Sequence, residues 1–137
     1  MRLTIKLLNQ DSTLNNFAFD KTLDISRGET AEVIFQLVQE NGQRYIPTSD
    51  ATVEVSIARN PTAIGVTGGG RAMEDNSIKR QATEHFTADR SIWSIPLTTA
   101  ETMKMISGAI KVTVTEGAKV KMCQLNQAIR IIDGQEK

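Results

Sequence analysis

His85 is the single histidine of the chain and Cys123 the single cysteine. Placed together they would make a nucleophile pair, the imidazole taking the proton of the thiol. They stand far apart in the sequence, and neither is framed by a histidine–carboxylate motif. A metal centre would need further nitrogen or sulfur donors at suitable spacing. Asp11, Asp20 and Asp24 lack the alternation of a calcium loop. Glu74-Asp75 reads as solvated charge. Gly65–Arg71 (GVTGGGR) is rich in glycine but lacks the Gly-Lys-Ser/Thr ending and following helix of a phosphate loop. Asn60-Pro61-Thr62 is closed to glycosylation by its proline. The rings suited to stacking on a sugar are Trp93 and Tyr45. No constellation emerges, so the expectation is a protein that is not an enzyme, with no catalytic residue, cofactor or metal.

Composition points the same way. The 137 residues carry 16 basic and 16 acidic side chains, a formal net charge of zero. Nucleic-acid binding draws its affinity from clustered basic charge, and no such cluster or aromatic–basic alternation stands out in the sequence. Neither nucleic acid nor a membrane is expected as partner: no run approaches the roughly 18 apolar residues of a spanning helix. The start, MRLTIKLLNQDS, reads as a strand and not as a signal peptide. A lone cysteine allows no disulfide within the chain, which favours folding in a reducing compartment.

The elements that would position any site are strands. Leu3, Ile5 and Leu7 alternate with polar residues, as a half-buried strand does. Thr22–Ser26 and Thr30–Gln39 follow; Ile34 and Val38 make the second face of the latter apolar too, so that face is expected to be covered. Asn41-Gly42 is a hairpin signal. Val53, Val55 and Ile57 mark the next strand, Thr83–Thr87 and Ile92–Leu97 a hairpin around a turn at residues 88–91. Thr98 to Glu101 spells a capping box, opening a short helix near residues 99–106. Gly108 is placed as its left-handed C-cap, with Met103 and Met105 filling the core beneath. Strands on both sides of Glu116-Gly117 close the pattern. A phase slip predicts a bulge at Met122–Gln124.

The fold class is therefore all-β: an antiparallel, immunoglobulin-like sandwich of about eight to nine short strands and one short helix. Residues 1–20 read as a strand and connecting arm, with Phe17 and Phe19 pinning the arm to the body. Residues 21–133 read as the sandwich and 134–137 as a frayed tail. Segments without core-forming residues are candidates for contact with other chains. These are the arm from Asn9 to Asn16 and the loop of residues 61–76 around Gly68, Gly69, Gly70 and Arg71.

Two stretches carry a family resemblance. One is Thr22–Thr30 (TLDISRGET) leading into Val33–Leu37 and Asn41-Gly42. The other is Trp93–Thr102 (WSIPLTTAET), followed by Ser107-Gly108 and the strand pair around Glu116-Gly117. Together they resemble the N-terminal domain of phage baseplate upper proteins and related modules of tail and fibre proteins. The resemblance implies a virion structural protein, made in the host cytoplasm. It would contact other virion proteins as a homo-oligomer or symmetric set. A capsid decoration protein, or a carbohydrate- or receptor-binding module, is the alternative.

Overall fold

The computed structural model describes residues 2–9, 12–13, 16, 18–59 and 77–133. Its strands are β1 (Leu3–Leu8), β2 (Phe19–Asp20), β3 (Leu23–Ser26), β4 (Ala31–Gln39), β5 (Thr52–Ala58) and β6 (Ile78–Gln81). They continue with β7 (Thr83–Phe86), β8 (Asp89–Leu97), β9 (Gly108–Glu116) and β10 (Lys119–Ile132); one helix, α1 (Thr99–Lys104), lies between β8 and β9. Sheet 1 runs β2-β1-β4-β8-β7 and sheet 2 runs β3-β10-β9-β5-β6. The all-β sandwich is as expected, with ten strands among the described residues where eight or nine were counted. The added ones are too short or too polar to show alternation: Ile78 is the sole apolar residue of β6.

Alternation decides which side chains are buried. Leu3, Ile5 and Leu7 of β1 meet Val33, Phe35 and Leu37 of β4 in one core, opposite Val53, Val55 and Ile57 of β5. Each large side chain removed from water here contributes roughly 1.5–3 kcal/mol. Because β1 belongs to this core, the sandwich includes Leu3–Leu8. The second face of β4 is covered as expected: Ile34 joins Leu8 and Ile92 in a smaller cluster, with Phe86 against it. Sheet 2 holds one departure from antiparallel pairing, since β3 lies parallel to the end of β10, Leu23 beside Ile129.

The helix starts as its capping box dictates: Glu101 N–H donates to Thr98 Oγ1 at 3.2 Å, and Thr98 N–H to Glu101 Oε1 at 2.9 Å. Its end differs from expectation. The C-cap is Met105, in extended conformation, and Met103 is exposed while Met105 is buried. Arg27 closes the helix instead, its Nη1 donating to the carbonyls of Met103 (2.9 Å) and Met105 (3.0 Å). The same guanidinium reaches Asp133 at 2.7 Å through Nε. Gly28 sits at φ +90°, where glycine is favoured, and its N–H donates to Thr102 Oγ1 at 3.1 Å. Gly108 opens β9, and a Cβ there would lie 2.3 Å from the carbonyl oxygen of Ala58. Close backbone approach, not a left-handed cap, is what requires glycine.

The expected bulge also moves. Lys119 to Leu125 pair in unbroken register with β9, and the irregularity falls between Leu125 and Ile129. Gln127 there adopts φ +55°, unusual for a residue with a side chain. Leu125 opposes Ile110 and Ile129 opposes Gly108. Two extra residues on β10 thus keep the odd positions facing inward. The apparent slip arose because Val120 and Met122 are apolar yet point outward, 53% and 57% exposed. The hairpin turn expected at residues 88–91 is tighter, joining Phe86 to Asp89.

Candidate functional site

His85 lies on β7 at the edge of sheet 1. Its Nδ1 is 3.3 Å from Ser94 Oγ and 3.4 Å from Glu32 Oε2. Ser94 Oγ donates to Glu32 Oε2 at 3.0 Å. Serine, histidine and glutamate thus meet, the residue types of a hydrolytic triad. The order differs from a triad, in which the imidazole stands between the other two and uses a different nitrogen for each. Here one nitrogen faces both partners, and the serine proton is already directed to the carboxylate. The arrangement ties β4, β7 and β8 together across the outer face of the sheet.

Cys123 stands in sheet 2, packed against the core from the other side, so the fold does not bring it to His85. Burial pushes its thiol up to about 11, a backbone hydrogen bond with Val112 offsetting only part of this. At neutral pH it is a protonated core thiol, not a thiolate nucleophile.

The two candidate stacking rings are committed inward. Trp93 is 6% exposed, within the main core, and its Nε1–H donates to the carbonyl of Arg90 at 2.8 Å. Tyr45 packs on the core edge with its hydroxyl donating to Glu116 Oε1. Glu116 also accepts from Thr48 N–H at 2.9 Å and Lys121 Nζ at 3.0 Å. Burial alone would raise this carboxyl; the bonds from Tyr45, Thr48 and Lys121 outweigh it and hold the group below its ordinary value. Asp89 shows the same balance at a more buried position. Desolvation raises it, and hydrogen bonds from Ser91 with the charge of Arg44 bring it below the usual value. Both acids tie the segment between β4 and β5 to the sheets, Asp89 through Arg44 and Glu116 through Tyr45 and Thr48.

A run of open space among the described residues lies on one flank, where the edges of the two sheets face each other across β1 and β10. Three open hollows of about 780, 620 and 710 Å³ follow one another along it. Ile5, Lys6 and Leu125 line both the first and the second; Thr22, Asn126 and Gln127 line both the second and the third. The hollows are therefore one groove. Its walls carry Arg2, Lys6, Lys21, Arg59, Lys111 and Arg130 against Asp20, Asp24 and Glu40. Arg130 is neutralised by a bidentate pair with Asp24, at 2.8 and 2.7 Å. The other five cations have no ion pair among the described residues. No metal-binding group of three or more His, Cys, Asp or Glu occurs among the described residues.

The segments picked out in the sequence lie elsewhere or outside the described residues. Asn9 N–H donates to the carbonyl of Ala18 at 2.7 Å, and Thr13 and Asn16 exchange backbone bonds of 2.9 and 3.1 Å. Of the segment from Asn9 to Asn16, only Asn9, Ser12, Thr13 and Asn16 lie among the described residues. Phe19, on β2, has Lys6 Nζ 5.1 Å from its ring centre. Phe17, Gly68, Gly69, Gly70 and Arg71 fall outside the described residues, as does the tail at 134–137. Lys6, Lys21 and Lys111 were not singled out, because only the pairing of β1 and β10 with their neighbours brings such distant positions to one flank.

No family model matches the chain, and no curated protein matches it. Among solved structures it is similar to the endo-β-1,4-mannanase from Thermotoga petrophila, with 12% identity and a TM-score of 0.41. The match covers 97% of this chain and 20% of that one, so the chain spans about a fifth of the mannanase's length.

Proposed function

We propose that the chain is a structural part of a bacteriophage particle, a sandwich module that works through protein–protein contacts and not through catalysis. The observation that carries the contact reading is the outer face of sheet 2. Val120 and Met122 stand side by side on it, more than half exposed, opposite Thr115 and Thr113 of β9. Exposed apolar side chains set beside threonines on a sheet face suit burial against another protein. The assignment to a phage particle is supported by the resemblance of the Thr22–Thr30 and Trp93–Thr102 stretches. In the fold these two stretches meet, with Gly28 and Glu29 bonded to Thr102.

The test is composition of purified particles. The protein is expected at a fixed stoichiometry in intact virions, and a Val120→Lys/Met122→Lys variant is expected to be depleted from them at least severalfold while melting normally. Recovery only from host cytoplasm, never from virions, would sink the proposal.

A further inference from the structure

We propose that the corner of sheet 2 around the bulge of β10 binds an acidic saccharide, a sugar chain that carries carboxylates. The proposal stands apart from the protein–protein reading and involves neither Val120 nor Met122. Four segments meet at this corner: Thr22 leading into β3, Asn126 and Gln127 in the bulge, Ser107 before β9 and Arg59 after β5. All line one hollow of about 710 Å³, a size common among small-molecule sites. The bulge shapes it. Ala128 turns inward and is fully buried, while Asn126 and Gln127 are pushed outward and exposed. Gln127 holds φ +55°, a left-handed conformation that glycine adopts far more readily, and Thr22 Oγ1 fixes its carbonyl at 3.0 Å. Bulges re-aim side chains next to binding sites, and such strain clusters where a ligand is held.

The groups left over are mostly donors. Arg59 has no ion pair among the described residues. Ser107 Oγ accepts from Ile131 N–H at 2.9 Å, which leaves its O–H to donate. Asn126 Oδ1 accepts from Gln124 Nε2 at 2.8 Å, which leaves its own Nδ2 to donate. The acid that lines the hollow, Asp24, is already held by Arg130. The occupant must therefore bring acceptors and negative charge, a carboxylate facing Arg59 and hydroxyls facing the two amides. Thr22, Asn126 and Gln127 also line the adjoining hollow, where the Phe19 ring is 46% exposed. The face of an aromatic ring attracts the C–H groups of a sugar. Lys6, with Nζ 5.1 Å from that ring, and Lys21 supply cations at this second end. Cation, amides, ring and cation in succession suit a chain of acidic sugar units better than one small anion.

The experiment titrates the full chain, labelled with nitrogen-15, with a galacturonate tetrasaccharide, its neutral galactose counterpart and tetraglutamate. The acidic saccharide is expected to shift the side-chain amides of Asn126 and Gln127 and the backbone amides of residues 126–130. The neutral saccharide and the peptide are each expected to bind at least about tenfold more weakly. Arg59→Gln, at an exposed position, is expected to melt normally and to bind the acidic saccharide about tenfold more weakly. Gln127→Gly retains the backbone conformation, so it is expected to melt no lower than the native chain and still to lose about threefold in affinity. A glutamine that served the bulge alone would leave affinity unchanged. No shift at millimolar saccharide, an equal response to tetraglutamate or to the neutral sugar, or unchanged affinity in both variants would overturn the proposal. Saccharide binding without incorporation into particles would remove the phage assignment and leave this site; incorporation without saccharide binding would do the reverse.

Discussion

Cys123 illustrates how position overrides residue type. In sequence it is the one nucleophile with intrinsic reactivity; in the fold its thiol is raised to about 11 by burial. Alkylation by iodoacetamide at pH 8 is expected to be slow in the native protein and fast once denaturant unfolds it, read by mass spectrometry. Asp89 makes the complementary point about acids. Its folded carboxyl lies below the ordinary value. Its contribution is thus present above the unfolded pKa of about 4 and is lost as pH falls through the folded one. Thermal melts between pH 6 and pH 2 are expected to show a falling midpoint, with a smaller fall in Asp89→Asn. That variant is destabilised at pH 7 by roughly 1–3 kcal/mol, because Ser91 and Arg44 lose a charged acceptor. His85 could not be assigned from sequence because its partners, Glu32 and Ser94, come from two other strands.

At the scale of elements, local chemistry was legible where neighbours in sequence are also partners in space. Thr98 and Glu101 spell the helix entry, and the structure bonds them as the capping box requires. The helix exit was not legible, because Arg27, more than seventy residues earlier, takes the place of a local cap. Gly108 was noticed for the wrong reason: the spacing fits a C-cap, whereas the contact that matters is with Ala58 across sheet 2. Gly108→Ala is expected to cost at least the upper end of the roughly 1–3 kcal/mol typical of overpacking, since the Ala58 carbonyl that it would meet is backbone and cannot swing aside. Urea unfolding would measure it. The bulge of β10 was misplaced because exposed Val120 and Met122 imitate an inward face, and periodicity alone does not reveal which side of a sheet meets water.

For the molecule as a whole, strand alternation and turn residues were enough to identify a sandwich, but not to order its sheets. Sheet order depends on which distant strands pair, and β1 illustrates the point. Read along the chain, it begins an arm; in space, it lies between β2 and β4 and sends Leu3, Ile5 and Leu7 into the core. Removing residues 1–8 should therefore do more than trim an end. Three core side chains at roughly 1.5–3 kcal/mol each rival the entire 5–15 kcal/mol stability of a typical domain. Calorimetry of the truncated chain is expected to show no cooperative transition. The flank groove was illegible for the same reason: its lysines acquire a common environment only when β1 and β10 are placed.

The parallel pairing of β3 with the end of β10 has a consequence for how the protein comes into being. Arg130 and Asp24, joined across that pair, are 106 positions apart. A chain emerging from the ribosome therefore exposes β3 long before its partner exists. Closing so long a loop gives no reward until late, which slows the folding of this half of the sandwich relative to its local hairpins. Until β10 arrives, sheet 2 lacks the strand that joins β3 to β9, so this half of the sandwich completes only after synthesis has passed residue 132.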